Sequence, residues 1–400
     1  MASALGLPNI RVSVIPHPLG ELRPEEVEQR SRAAAHDIMQ NRLASCGAEA
    51  RATEDQTYDP LEIQNSWDAV NDHFYVRGWT DGLPIVPPER DRVERVVAAS
   101  GLAPETVLGV IPPRMGMATV ENVAVNAVMA GCAPEFFRVV IAAVRAVCQP
   151  EFNLLPMQAT TNPVTPMIIV NGPIAKKLEI NSAENVFGQG WRANATIGRA
   201  LRLVLTNIGG GIPGKADKAC HGQPGKFSFC IAENEERSPW EPFHVERGFS
   251  PGDSTVSAIG VTGTQDVIHY ARTSAAKILN TLIHAIPREG YKNLYSGGEP
   301  LIVFGPEQAA VLGAEGMSKK DVKKVIFDHA RVPAIQLNPE TLTLIRGRRP
   351  GLFSGGDGVR DIPIADRADD IQIIVAGGVG NHTVFVPTWG DTRCVTIPVD

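Results

Sequence analysis

Between Phe227 and Phe249 the chain reads FSFCIAENEERSPWEPFHVERGF, and few of its stretches could carry more chemistry. Phe227, Phe229 and Ile231 alternate as in a buried strand. The strand runs into Glu233, Glu235, Glu236, Glu241, His244, Glu246 and Arg247, with Trp240 and Phe243 among them. Like charges repel, and a buried carboxyl or imidazole must be paired or hydrogen-bonded. Crowding of this kind points to a site. Pro239 and Pro242 stiffen the segment, and its aromatic residues argue against full exposure. Glu233 and His244 are the expected proton carriers, and His244 could pair with Glu241 or Glu246, since a carboxylate can fix an imidazole's tautomer and raise its basicity. Glu241 and His221 are further catalytic candidates.

Substrate-binding groups are expected elsewhere. Arg192 and Asn194 open a helix after the glycine-rich FGQG, and a helix start with such side chains suits a carboxylate or phosphate. Trp79 and Asp81 sit in RGWTDGLPIVPP (77–88), a stiff loop between helices. Trp79, Trp191 and Trp240 could wall a pocket. GGGIPGKA (209–216) nearly matches a phosphate loop, but Ala216 replaces the magnesium-binding Ser/Thr and no apolar helix follows. Nucleotide hydrolysis is rejected, while a loop offering N–H groups to an anion, aided by Lys215 and Lys226, stays open. Cys132, Cys220 and Cys230 are the candidate thiols. The adjacent Cys220–His221 pair has poor geometry for a nucleophile and its base. Loop histidines 221, 244 and 382 could join glutamates around a divalent metal, but neither HExxH nor HxH spacing occurs. No cofactor is therefore expected.

The elements that must position these groups are legible in outline. Helices are expected over 24–43, 61–76, 89–100, 120–129 (capped by Thr119, closed by Gly131), 134–147, 192–207, 273–286 and 319–330, with strands at 10–15 and 106–111 and a linker at 45–60. TPMIIVNGPIAKKL (165–178) and EPLIVFGPEQAAVL (299–312) share a proline, an apolar strand, a Gly-Pro turn and a short helix, and apolar helices flank both. IQIIVAGG (371–378) supplies a third strand-to-glycine turn. Runs such as MIIV, LIVF and IIVA should be buried on both faces, which predicts an α/β fold of mainly parallel sheets flanked by helices, in two pseudo-repeated halves. Ligands would then sit beyond the strand ends, at Asn171, Gly305 and the 377–382 turn that ends in His382. The expected division is an arm and linker (1–58), a first half (59–215) and a second half (216–400) that includes the 220–249 site loop.

Four hundred residues exceed one small core, and 43% apolar with 20% charged residues is an ordinary globular balance. A net charge of −6 without a basic stripe argues against nucleic acid. No apolar run approaches a membrane span and no secretory pattern opens the chain, so the cytoplasm is the expected compartment. Six cysteines without a CxxC pair exclude a zinc ribbon and a disulfide scaffold.

GWTDGLPIVPP (78–88), ATVENVAVNAVMAGCAPEFFRVVIAAV (118–144), GQGWRANATIGRALRLVLTNIGG (188–210) and CIAENEERSPWEPFHVERGF (230–249) resemble the large region of UGSC-family (seleno)proteins, from about residue 60 to the C-terminus. Members with the eponymous motif carry selenocysteine or cysteine, then Gly-Ser-Cys, in a smaller N-terminal region. This chain lacks that motif, and only residues 10–31 look like the tail of that region. The resemblance therefore implies a substrate-binding body without the selenol step.

The combined expectation is an acid–base enzyme, a lyase or hydrolase, acting on a small polar, anionic metabolite where loop 209–249 meets the strand ends. It would be a homo-oligomer with no nucleic-acid or membrane partner. The alternatives are a thiol-dependent oxidoreductase and a non-catalytic binding subunit serving a separate thiol or selenol protein.

Overall fold

Strand β3 (Thr165–Asn171) is buried along its whole length, and so is β5 (Thr255–Val261). Such strands need cover on both faces. A computed structural model, describing residues 24–37, 62–270, 273–354 and 359–400, shows what supplies it. Before β3 come α1 (Pro24–Asp37), α2 (Trp67–Val76), α3 (Arg90–Ser100), the ribbon β1 (Val107–Ile111) and β2 (Gly116–Thr119), α4 (Val120–Ala130), α5 (Phe137–Val147) and α6 (Leu154–Ala159). Then follow α7 (Pro173–Lys177), α8 (Arg192–Asn207), β4 (Cys230–Ala232), α9 (Phe243–Glu246), β5 and β6 (Gln265–Ile268). The remainder is α10 (Ala275–Ala285), α11 (Lys292–Ser296), β7 (Leu301–Phe304), α12 (Pro306–Ala314), α13 (Lys319–His329), β8 (Arg331–Pro333), α14 (Pro339–Arg348), β9 (Asp361–Pro363), β10 (Gln372–Val375), β11 (His382–Val386) and β12 (Val395–Pro398).

Two four-stranded sheets form the centre, ordered β4-β3-β5-β12 and β10-β7-β11-β6. Their facing surfaces share one core, with Met167, Ile169, Ile231 and Ile259 packed among Leu301, Val303, Ile374 and Val386. Ile168, Val170, Cys230, Val256 and Ala258 point the other way, into a core shared with α3, α4, α5 and α8. Ile302, Phe304, Ile373, Val375 and Phe385 do the same towards α10, α12 and α13. The layers are therefore helix, sheet, sheet, helix. Each isoleucine or valine sealed between them contributes about 1.5–3 kcal/mol of burial.

The α/β class is as expected, but the sheets are mixed rather than mainly parallel. Only β3–β4 and β7–β10 are parallel, while β3–β5, β5–β12, β7–β11 and β6–β11 are antiparallel. An apolar run reports that both faces are covered, not what covers them; here a second sheet replaces one helical layer. In strand order, both sheets pass through one parallel pairing and then two antiparallel ones. The chain leaves the first sheet after β5 for β6 of the second, and returns after β11 to β12 of the first. Strands β4 and β5, although C-terminal to residue 215, thus pair with β3.

Local signals set several helix ends as anticipated. The Thr119 hydroxyl accepts the Asn122 amide at the start of α4, and Gly131 closes it with φ +87°. The expected strand at 10–15 and linker at 45–60 lie outside the described residues. No helix among those residues is long and apolar enough to cross a membrane.

Candidate functional site

The acidic segment folds into the interior at the carboxyl end of β4. Glu233 follows directly on β4 and is 4% exposed; His244, in α9, is 0% exposed. Glu233 Oε2 accepts from Asn171 Nδ2 at 2.6 Å and from the Phe243 amide at 2.7 Å. Glu235 Oε1 accepts from the same Asn171 Nδ2 at 2.9 Å and from the Gly172 amide at 2.7 Å. Gly172 must be glycine, since φ is +81° and a Cβ would lie 2.0 Å from the Asp253 carbonyl oxygen. His244 Nδ1 stands 3.9 Å from Glu235 Oε1, and among the described residues neither ring nitrogen has a hydrogen-bond partner. Burial pushes the Glu233 carboxyl up to about 7, against the pull of Lys319 and of its two donors. Lys319 and Lys323 both pair with Glu246; burial raises the Glu246 carboxyl, but the two cations outweigh it and hold it below its ordinary range.

Sequence reasoning thus brought together Glu233, His244 and Asn171, but the cluster is sealed. Neither Glu233 nor His244 lines any of the three cavities described below. The imidazole's near neighbour is Glu235, which was not singled out, while Glu241 is exposed. His221 is exposed near the opposite end of β3, where Cys220 donates its amide to the Thr161 carbonyl. The length of β3 separates it from Glu233 by about 20 Å. Loop 209–249 is therefore not one site, because β4 carries the chain across the sheet. Its second part reaches the carboxyl end of β10, through the Asn234 amide on the Val375 carbonyl at 2.7 Å, while its first part reaches the end of β5, through Gln223 Nε2 on the Val261 carbonyl at 3.0 Å.

The open strand-end site lies in the second sheet. A cavity of about 480 Å³ sits beyond the carboxyl ends of the parallel pair β7 and β10, over Gly305 and the 376–380 turn, with Glu184–Phe187 as one wall. His382 opens β11 and Asp266 lies on β6; both line it. Antiparallel register sets Asp266 opposite Val384, so period-two alternation makes Asp266 and His382 a diagonal pair on one face. His382 Nδ1 is 3.0 Å from each Asp266 oxygen. An ionised carboxylate only accepts, so the proton sits on Nδ1 and Nε2 makes no hydrogen bond to any described residue. Buried beside them is His269, whose ring nitrogens both lack a partner among the described residues. Burial lowers the His269 imidazole and His382 adds to this, while Asp266 opposes it. Among the described residues, the amides of Gly378, Val379 and Gly380 donate to no protein acceptor. Asp266 was missed because nothing local marks it: its partner is 116 positions away.

The remaining candidates are mostly structural. Asn194 is buried, its Oδ1 accepting the Asn181 amide at 2.8 Å and its Nδ2 donating to the Asn181 carbonyl at 3.0 Å, so it offers a substrate nothing. Trp240 donates Nε1 to the Met317 carbonyl and packs on Phe304; Trp79 packs on Phe74. Trp191 is 37% exposed and caps α8 without lining a described cavity. Arg192 donates Nε and Nη2 to the Gly131 carbonyl and lines a separate cavity of about 410 Å³ with Arg92, Arg95 and Cys132. The Cys132 thiol donates to the Thr196 carbonyl, and burial pushes it up to about 12. Cys230 faces the helices, raised by burial, while Cys220 is exposed. Asp81 holds Arg199 by two bonds of 2.7 and 2.8 Å. Among the described residues, no three or more His, Cys, Asp or Glu side chains form a metal-holding group. Compared with known proteins, the chain matches no family model and no curated protein.

Proposed function

We propose that the chain is an enzyme that moves a proton on a small polar, anionic metabolite bound over β7 and β10, with His382 as the base. The observation that carries this reading is the His382–Asp266 contact inside an open cavity. Asp266 holds the imidazole in one tautomer and stabilises the imidazolium formed when Nε2 takes a proton. The amides of Gly378, Val379 and Gly380 suit a carboxylate, or the oxyanion that develops when a proton leaves the carbon beside a carbonyl. Among the described residues, the cavity lining contains no Ser, Thr, Cys or Lys to act as nucleophile. Chemistry there runs through proton transfer to the base, which favours addition–elimination; hydrolysis would need His382 to activate a water. The thiol alternative draws no support from Cys132 or Cys230, whose thiols burial keeps protonated.

The same proposal takes the two sheets as products of one duplicated unit that exchange their last strands, β6 and β12. Such an exchange accounts for a wall from one half, Glu184–Phe187, standing over the strand ends of the other.

The test needs no prior substrate. The protein is incubated in D₂O with a panel of small hydroxy, keto and amino acids, and proton NMR follows deuterium entry and bond cleavage. At least one compound should exchange or eliminate, with His382→Gln slower by roughly 10²-fold or more and Asp266→Asn intermediate. Wild-type rates in His382→Gln would refute the assignment.

A further inference from the structure

Three motifs that the proposed function leaves unused meet at one place. Thr80 and Asp81 from the GWTDG turn, Arg202 and Thr206 from α8, and Gly211 and Pro213 from the glycine-rich loop line a cavity of about 190 Å³, closed by Lys226 and Phe227. It lies at the start of β3, where Arg202 Nη2 donates to Thr165 Oγ1 at 2.8 Å, away from the strand ends that carry His382.

The charges there do not balance. Asp81 is taken by Arg199, and Asp217 by Lys226 at 2.6 Å. Among the described residues, Arg202, partly buried, has only neutral acceptors, Thr165 Oγ1 and the Lys226 carbonyl. The two carboxylates lining the cavity are thus already engaged, Asp81 by Arg199 from outside the lining, and Arg202 is the lining cation left without one among the described residues. A guanidinium withdrawn from water without a counter-ion is costly and recruits an anion. Burial lowers the Arg202 guanidinium's affinity for its proton, and Asp217 and Asp81 only partly offset this.

The loop itself offers nothing to a phosphate. The amides of Gly209, Gly210 and Gly211 donate to the carbonyls of Val204, Thr206 and Leu205, that of Ile212 to Gly210, and that of Gly214 to Asp217. Those of Lys215, Ala216 and Asp217 all donate to the Ile212 carbonyl. The open possibility of an amide cradle is thereby closed, and recognition falls to Arg202. Size sets a second limit: about 190 Å³ matches roughly six water molecules, too little for a nucleotide. Pro213, Gly211 and Phe227 give the space an apolar wall.

We propose that this cavity binds a short-chain carboxylate, its oxyanion on Arg202 and its tail against Pro213 and Phe227. Propionate is the probe, titrated into the full chain while thermal unfolding is followed, with sodium chloride at matched ionic strength as the control. The melting temperature should rise saturably with propionate and not with chloride. Arg202→Met should weaken half-saturation by roughly tenfold or more. Thr80→Phe keeps every charge and fills the space, so it should also lose the effect; Thr80 is only partly buried, so this variant covers the case in which Arg202→Met does not fold. Propionate held at the strand-end cavity instead would stabilise Arg202→Met and wild type equally, which separates this site from the proposed catalytic one. A propionate effect equal to that of chloride, or one that persists in Thr80→Phe, overturns the proposal.

Discussion

Replacing Glu233 by Gln should make the protein more stable in alkaline solution and leave it little changed in acid. Burial raises this carboxyl from 4.5 to about 7 in the folded chain. Below pH 4.5 both folded and unfolded chains hold the proton, and the group costs nothing. Between 4.5 and 7 the unfolded chain releases its proton first, so stability falls as pH rises. Above 7 both states are ionised and the full penalty remains, about 3 kcal/mol at ~1.4 kcal/mol per pH unit of difference. For 400 residues at ~2.1 cal/mol/K each, the unfolding entropy is about 0.8 kcal/mol/K, so the penalty lowers the melting temperature by about 4 °C. Glutamine matches the protonated carboxyl in shape and keeps an oxygen for the Phe243 amide and Asn171. Calorimetric melting of both proteins from pH 4 to 8.5 gives the difference curve. It should be near zero at pH 4, open in favour of Glu233→Gln between 4.5 and 7, and level off above. Parallel curves, or a difference that opens in acid, would refute the claim that burial raises this carboxyl in the folded chain.

Other consequences are as direct. Glu246→Gln removes the carboxylate that both the Lys319 and Lys323 ammonium groups, each 6% exposed, pair with. It should cost about 3 kcal/mol or more in urea unfolding, and adding Lys323→Met should recover part of that; no loss would show the pair is not buried. Iodoacetamide at pH 8 should label Cys220 in the native protein and reach Cys132, Cys148, Cys230 and Cys394 only after unfolding. Burial pushes Cys132 and Cys394 up to about 12 and Cys148 up to about 11. Native labelling of Cys132, read by mass spectrometry, would revive the thiol reading.

The elements were more legible than their assembly. Thr119 and Gly131 mark the ends of α4, and the apolar spacing of 134–147 and 192–207 reports α5 and α8. These signals are local and survive any tertiary arrangement. MIIV, LIVF and IIVA gave strands buried on both faces and nothing about direction, because burial is blind to whether a helix or a sheet provides it. Crowded acids in 227–249 point to shelter, and Glu233 and His244 are inside. They do not report a cavity, since desolvation acts on them whether or not one adjoins, and neither residue lines a described cavity. Asn194 shows the same ambiguity: an amide at a helix start can hold a ligand or, as here, a neighbouring backbone.

What the amino-acid order settled by itself was the kind of chain this is: strands that need two covers, helices with written ends, and acids that must find partners. Only the folded chain decided which partners. His382 acquires Asp266 through an antiparallel register, Arg202 is left without a carboxylate because Asp81 and Asp217 are taken, and β4 divides one loop between two ends of a sheet. Period and propensity act over a few residues, whereas His382–Asp266 and Arg199–Asp81 join residues 116 and 118 positions apart that only the tertiary fold brings into contact.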